Sequence, residues 1–436
     1  MHKKSGDFLL SSHRRALHPF LRTNYLWSPC EALLIMKILS IETSCDETAL
    51  SIVEASGGLE KPTFKVLSNL VLSQVKIHEK YGGVFPSLAK REHAKNLVPL
   101  LQKALEEAGL YSQTQQVQTI EKFETDLSHE PELSKSLAEF LGQTKRPDID
   151  LIAVTYGPGL EPALWVGINA AKVLNEIWKI PVMPVNHMEG HICSVLFDPT
   201  PTTPSRSSTK SPVEFPALAL LISGGHTELV LLSDWLSYKV VGQTRDDAVG
   251  EAYDKVARML GLPYPGGPKV ADFAVELRAA GRLSRFNFPR PMLKSPDLDF
   301  SFSGLKTSVL YALRKISLLS VEGKNVLIDL ETKKEIALAF EDAIIETLVV
   351  KTKKAIEEFA PKTLIIAGGV IANKTIRDSF QKLTEQTEVK LLTPTHELST
   401  DNALMIAIAA YIRKSKQPDK EYPVALIRAE GNVQLS

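Results

Sequence analysis

Cysteine is scarce. Only Cys30, Cys45 and Cys193 occur in 436 residues, with no CxxC pair, which excludes a disulfide scaffold or a four-cysteine zinc site and fits a reducing compartment. An excess of charge of either sign is missing too, since Lys+Arg and Asp+Glu both number 51. The chain as a whole has no field to draw in nucleic acid, so any such surface must be a local patch. No apolar run approaches the roughly 20 residues of a spanning helix, and no membrane is expected among the partners. What is plentiful is hydrophobic sequence, 44%, enough for two domains at this length.

Acidic residues are rare at the start. Residues 1–35 spread His2, Lys3, Lys4, Arg14, Arg15 and Arg22 among Ser, Leu and Phe, against only Asp7 and Glu31. That is the composition of a mitochondrial transit peptide, although an upstream extension before a start at Met36 fits the same residues. Two apolar runs follow, Ile38 to Thr43 and Ala49 to Val53, around a polar turn with Cys45, Asp46 and Glu47, which predicts a hairpin. The turn YGGVFP leads into an amphipathic helix with a basic start at Lys90, Arg91 and Lys95. Residues 111–147 turn polar and read as a surface insertion, partly helical at SKSLAEFL. A strand, Leu151 to Thr155, then enters Gly157-Pro158-Gly159 and a long helix, an order that lets backbone amides approach a phosphate or carboxylate.

The strand Val182 to Val185 runs into NHMEGH, which sets His187 and His191 four residues apart. On a helix both imidazoles share one face, about 40° apart, where two nitrogens can reach one metal. Two surface histidines at a helix start would show the same spacing. Glu189 projects about 200° away from His187, poorly placed for the general base of an HExxH peptidase. The motif therefore favours a metal over proteolysis, with a metallopeptidase kept as the alternative.

A Pro/Ser/Thr-rich stretch, 199–213, separates a first half (36–198) from a second (214–436). The second half opens as the first did, with two apolar runs around Ser223-Gly224-Gly225-His226-Thr227, and TLIIAGGVIANKTIRDSF later repeats the strand, glycine turn and helix. The reading is a duplicated α/β unit, resembling the two-lobed nucleotide-binding fold of actin, hexokinase and the heat-shock chaperones. In between, Arg282, Arg285, Arg290, Lys294 and Lys306 alternate with Phe286, Phe288, Phe300 and Phe302. Charge for phosphates and rings for bases is what recognition of looped RNA needs; a proline loop with buried Phe anchors has the same composition. Asp401 stands at the start of an apolar helix, where it could serve as an N-cap.

IETSCDET, YGGVFPSLAKREH, GPGL, NHMEGH, LISGGHT, GEAYDKVARMLGLPYPGGP, DFSFSGLKT, AGGVIAN and STDNALMIA together resemble the TsaD-type tRNA threonylcarbamoyltransferases, once called O-sialoglycoprotein endopeptidases. The resemblance covers about Met36 to Lys414 apart from the insertion and the Pro/Ser/Thr stretch. It implies an ASKHA fold and transfer of L-threonylcarbamoyl from its adenylate to N6 of adenosine 37 in tRNAs that read ANN codons. It puts one divalent cation (zinc, iron, manganese or magnesium) on His187, His191 and Asp401, and the adenylate on Leu221, Ile222, Ser223, Gly224, Gly225, Asp254, Gly267 and Asn373. The chain departs from some relatives at Ala271-Asp272, where an acidic residue stands one place earlier, and at Asn186, a His in some bacterial members. With its basic leader the resemblance is to the mitochondrial branch. That implies a matrix protein acting as a homodimer on tRNA, with a separate synthase supplying the adenylate. A non-enzymatic nucleotide-binding protein of mitochondrial genome maintenance is the third reading.

Overall fold

Residues 35–115, 119–120, 122–197, 207–208, 213–319 and 328–435 are described by a computed structural model; the basic leader and most of the Pro/Ser/Thr-rich stretch lie outside the described residues. In the first half, β1 (Met36–Glu42), β2 (Glu47–Ser56) and β3 (Thr63–Ser73) form an antiparallel meander. The short helix α1 (Val75–His78) and the long α2 (Pro86–Glu107) and α3 (Pro131–Gln143) follow. Then β4 (Leu151–Gly157) lies parallel to β1, α4 (Glu161–Trp178) crosses back, and β5 (Val182–Asn186) lies parallel to β4 and feeds α5 (His187–Cys193). A two-residue β6 (Ser207–Ser208) extends the edge, giving the order β5-β4-β1-β2-β3-β6.

The second half repeats this plan. Its meander is β7 (Ala217–Ile222), β8 (Thr227–Asp234) and β9 (Ser237–Gln243), followed by α6 (Val249–Met259), α7 (Gly266–Ala279), α8 (Ser303–Leu319) and α9 (Leu330–Phe359). Then β10 (Thr363–Ala367) joins β7 in parallel, α10 (Lys374–Thr387) crosses, and β11 (Lys390–Leu392) joins β10, in the order β11-β10-β7-β8-β9. The chain closes with α11 (His396–Ser399) and α12 (Ala403–Lys416). Two α/β units of one topology, with helices on the sheet faces, are the ASKHA fold expected from the sequence.

Strand alternation decides which core each residue joins. Leu39 and Ile41 pack with α2, α3 and α4 on one face of the first sheet, whereas Ile38 packs on the other face against α12 residues such as Met405 and Ile408. Leu218, Leu220 and Ile222 face the helices of the second half, while Ala217, Ala219 and Leu221 share the core that contains α5 and α12. Chain order therefore does not divide the cores: α12 returns to the first sheet, where Ser40 Oγ donates to Ala403 O at 2.6 Å. The 111–147 stretch also differs from a surface insertion, because Phe123, Leu127, Leu133, Leu137, Phe140 and Leu141 are buried in the first-half core. Its polar composition hides one apolar helix face. Among the described residues, no helix is long and apolar enough to cross a membrane.

Candidate metal centre

The strand β5 ends at Asn186, whose side chain accepts from Met188 N at 2.9 Å and Glu189 N at 3.3 Å, capping α5 and starting it abruptly. His187 is thereby fixed at the first helical position and His191 one turn on, both buried. Their rings meet edge to face with centroids 4.8 Å apart. Asp401, more than two hundred residues away in sequence, brings Oδ1 to 3.4 Å from His187 Nε2 and 3.2 Å from His191 Nε2. One ligand atom from each of the three lies within 4.8 Å of the others, close enough for small side-chain shifts to bring all three onto one cation at bonds of about 2.0–2.2 Å.

Asp401 is not the N-cap. That role belongs to Asn402, which accepts from Met405 N at 3.0 Å and leaves the aspartate free to face the histidines. Burial would push its carboxyl up, but the imidazoles outweigh it and hold Asp401 far below the usual carboxylate range. The fit to a cation rests on His191. Its Nε2 has Asp401 Oδ1 at 3.2 Å as its polar neighbour and Nδ1 is buried without a hydrogen-bond partner, an arrangement that suits an imidazole whose Nε2 shares a cation with the aspartate.

Glu42 supports His187 from behind, a role the sequence reading did not assign. It is fully buried at the end of β1, with Oε2 at 3.1 Å from His187 Nδ1. It accepts from Thr155 Oγ1 at 2.5 Å and from Ser44 N at 2.6 Å, so its orientation is locked. This is the carboxylate-histidine arrangement that turns the other ring nitrogen toward a metal. The signal is an acid at the end of a mainly apolar strand, just before the polar turn. Glu189, in contrast, is fully buried and paired with Arg413, an ion-pair role in the core.

His226, also unassigned from sequence, sits in the β7–β8 turn. The turn is closed by Ser223 N to His226 O at 2.9 Å and His226 N to Ser223 Oγ at 3.1 Å. Burial, then the neighbouring His187 and His191, push its imidazole down to about 4. Within the same turn Gly224 and Gly225 are exposed, while the Leu221 and Ile222 side chains lie in the cores on opposite sheet faces; only their backbones can face a ligand. Gly368 holds φ +99°, and a Cβ there would lie 2.5 Å from Ile222 O, so only glycine lets β10 end beside β7.

A cavity of about 410 Å³ opens between α6, the start of α7 and the turn after β10, with Asp254, Gly267, Asn373 and both Ala271 and Asp272 in its lining. Asp254 Oδ1 accepts Gly266 N at 2.7 Å, which fixes the α7 N-terminus there. Asn373 caps α10 through Thr375 N at 2.8 Å and donates to Glu341 Oε1 at 2.6 Å. Both side chains thus shape the wall with polar atoms already engaged.

The basic loop is strapped to α9 and to the turn before α6. Arg282 meets Glu331 at 2.5 Å, Arg285 meets Glu335 at 3.0 Å, Arg290 meets Glu346 at 2.7 Å and Lys306 meets Asp247 at 2.9 Å. Lys294 alone of the five is exposed without such a partner among the described residues. Phe288, Phe300 and Phe302 are buried, as in the plain reading of a proline loop anchored by rings.

The duplicated sheets and the His-His-Asp group where their strand ends meet define a two-lobed ASKHA protein with a group that could hold a cation in its cleft. A family model described as TsaD, tRNA N6-adenosine threonylcarbamoyltransferase, matches residues 65–120 and 124–408. The chain belongs to that family. Among solved structures, full-length HypF in its phosphate- and nucleotide-bound form aligns at a TM-score of 0.49 and 9% identity, over 89% of this chain and 57% of HypF. The ROK hexokinase of Thermus thermophilus gives 0.39 and 14%, over 87% and 100%. The activator of 2-hydroxyisocaproyl-CoA dehydratase from Clostridium difficile gives 0.41 and 12%, over 89% and 100%. These likenesses carry nothing about activity.

Proposed function

We propose that this chain transfers a threonylcarbamoyl group from threonylcarbamoyl-AMP to N6 of adenosine 37 in tRNAs reading ANN codons, with a divalent cation held by His187, His191 and Asp401. The observation that supports the cation is the convergence of both buried imidazoles, through Nε2, on the one oxygen Asp401 Oδ1. When bound, the cation neutralises phosphate charge and polarises the carbamoyl carbonyl. The protein's own groups bind and orient. The exposed backbone N–H groups of Gly224 and Gly225 can donate to phosphate oxygens, and the cavity beside Asp254 and Asn373 has room for a nucleoside. The acceptor amine attacks the carbonyl carbon, the bond to the AMP phosphate breaks, and the amine loses a proton.

Asp401→Ala tests this reading: it should lose bound metal and transfer to tRNA together. Full metal and full transfer in that variant would refute the three-ligand site. A peptidase is disfavoured because Glu189 is buried on Arg413. The leader supports import into the mitochondrial matrix, which full-length chain and a chain beginning at Met36 would separate by their location. A homodimer fed by a separate synthase completes the proposal; light scattering checks the first, and activity that depends on adding the synthase the second.

A further inference from the structure

The segment between β3 and α2 has what the Arg282–Lys306 loop, with its rings buried or half-buried and a single unpaired cation, lacks: exposed rings beside several unpaired cations. Tyr81 is 64% and Phe85 53% exposed, and their rings stack with centroids 6.0 Å apart and planes 29° from parallel. Aromatic rings are among the side chains that gain most from burial, so a stacked pair left in solvent calls for an occupant. From Gln74 to Arg91 the sequence has four cations, Lys76, Lys80, Lys90 and Arg91, against one acid, Glu79. Lys76, Lys80 and Arg91 are exposed and have no ion-pair partner among the described residues.

The segment is held at the rim of the cleft. Gln74 N donates to Asp46 O at 2.9 Å, tying it to the β1–β2 turn that follows Glu42 and Ser44. Buried His78 braces it from within, with Nδ1 accepting from Phe85 N at 3.3 Å and Nε2 at 3.1 Å from Gln74 Oε1. From the other lobe, the Arg258 guanidinium donates to Gly82 O. Arg258 lies one helical turn after Asp254, which lines the cavity. The segment that carries the two rings is thus tied to both lobes, through Asp46 in the first and Arg258 in the second.

An adenosine that enters a cleft between two lobes leaves its stack, and its neighbours lose a stacking partner. We propose that Tyr81 and Phe85 form a platform on which a neighbouring base of the single-stranded tRNA loop stacks while the modified adenosine enters the cleft, with Lys76, Lys80 and Arg91 meeting the phosphates. The proposal rests on the transferase reading above. Ring stacking is tolerant of base identity and suits a loop better than a duplex.

The test compares wild type, Tyr81→Ala, Phe85→Ala, the double variant and Phe85→Trp for binding and modification of an unmodified substrate tRNA. A fully paired RNA duplex, melting temperature and light scattering serve as controls. Each Ala variant should bind tRNA about five- to a hundredfold more weakly, with KM for tRNA raised more than kcat is lowered. Phe85→Trp should restore affinity, and duplex binding, melting and metal content should not move. Wild-type affinity in the double variant, while wild type still modifies tRNA, would overturn the platform and leave the transferase reading standing. Wild type that neither binds nor modifies tRNA would overturn both. A change in oligomeric state alone, with tRNA affinity per subunit unchanged, would make the rings a protein interface and overturn the proposal.

Discussion

Glu42 Oε2 stands 3.1 Å from His187 Nδ1, so the far nitrogen of that ring is aimed at Asp401. A carboxylate in this position fixes the tautomer and makes the imidazole a stronger donor to a cation. Glu42→Gln keeps the shape and one acceptor oxygen but removes the charge. Divalent-metal affinity, measured by competition with a chelator at fixed pH, should fall about 10- to 100-fold, with transfer recoverable at saturating metal. Unchanged affinity would mean that Glu42 serves only the packing of β1.

Glu189 separates structural from catalytic acid. Its carboxylate is buried on the Arg413 guanidinium, so Glu189→Gln should leave metal bound and transfer largely intact at low temperature. Breaking one side of a buried ion pair costs roughly 3–5 kcal/mol, and denaturant unfolding should show a loss of that order. Abolished activity with undiminished stability would reinstate Glu189 as a general base.

The basic loop gives a prediction by contrast between its own residues. Arg285 pairs with Glu335 and Arg290 with Glu346, so Arg285→Glu and Arg290→Glu would set like charges against α9. Each loses an ion pair and gains like-charge repulsion against a carboxylate that is mostly buried (Glu335) or half-buried (Glu346), so each should lower stability by about 1 kcal/mol or more. Lys294 is free of such a pairing, so Lys294→Glu should not affect stability. If the loop meets tRNA, this variant alone should flatten the salt dependence of binding by about one in the slope of log K against log salt. An unchanged slope makes the loop a structural strap.

How far the fold could be read depended on whether its signals were local. Both hairpins and both strand-glycine-helix turns announced themselves, because apolar alternation and glycine act within a few residues, and the duplication followed from their order. The pairing of His187 with His191 was visible for the same reason. Asp401 came only through the family motif, and its expected capping role goes to Asn402 one residue later; caps compete over single positions and composition does not rank them. Glu42 was missed because a buried acid at a strand end looks like one polar residue in a run. The return of α12 to the first sheet and the burial of Phe123 and Leu127 depend on contacts between distant segments, which no local pattern encodes.

His226 supplies a pH prediction. Its imidazole is held neutral in the folded protein by burial and by the two metal-site histidines, with a pKa of about 4. The unfolded chain takes up that proton near pH 6.5. Below pH 6.5 the unfolded state therefore binds more protons than the folded one, and stability falls with falling pH until the folded imidazole titrates near 4. At about 1.4 kcal/mol per pH unit, this residue's share is on the order of 3 kcal/mol. His226→Asn, which keeps a polar side chain but cannot charge, should flatten that part of the profile and leave stability above pH 7 nearly unchanged. Unfolding of both metal-free proteins between pH 4 and 8 measures the difference. Parallel profiles would show that the acid sensitivity of this cleft arises elsewhere than at His226.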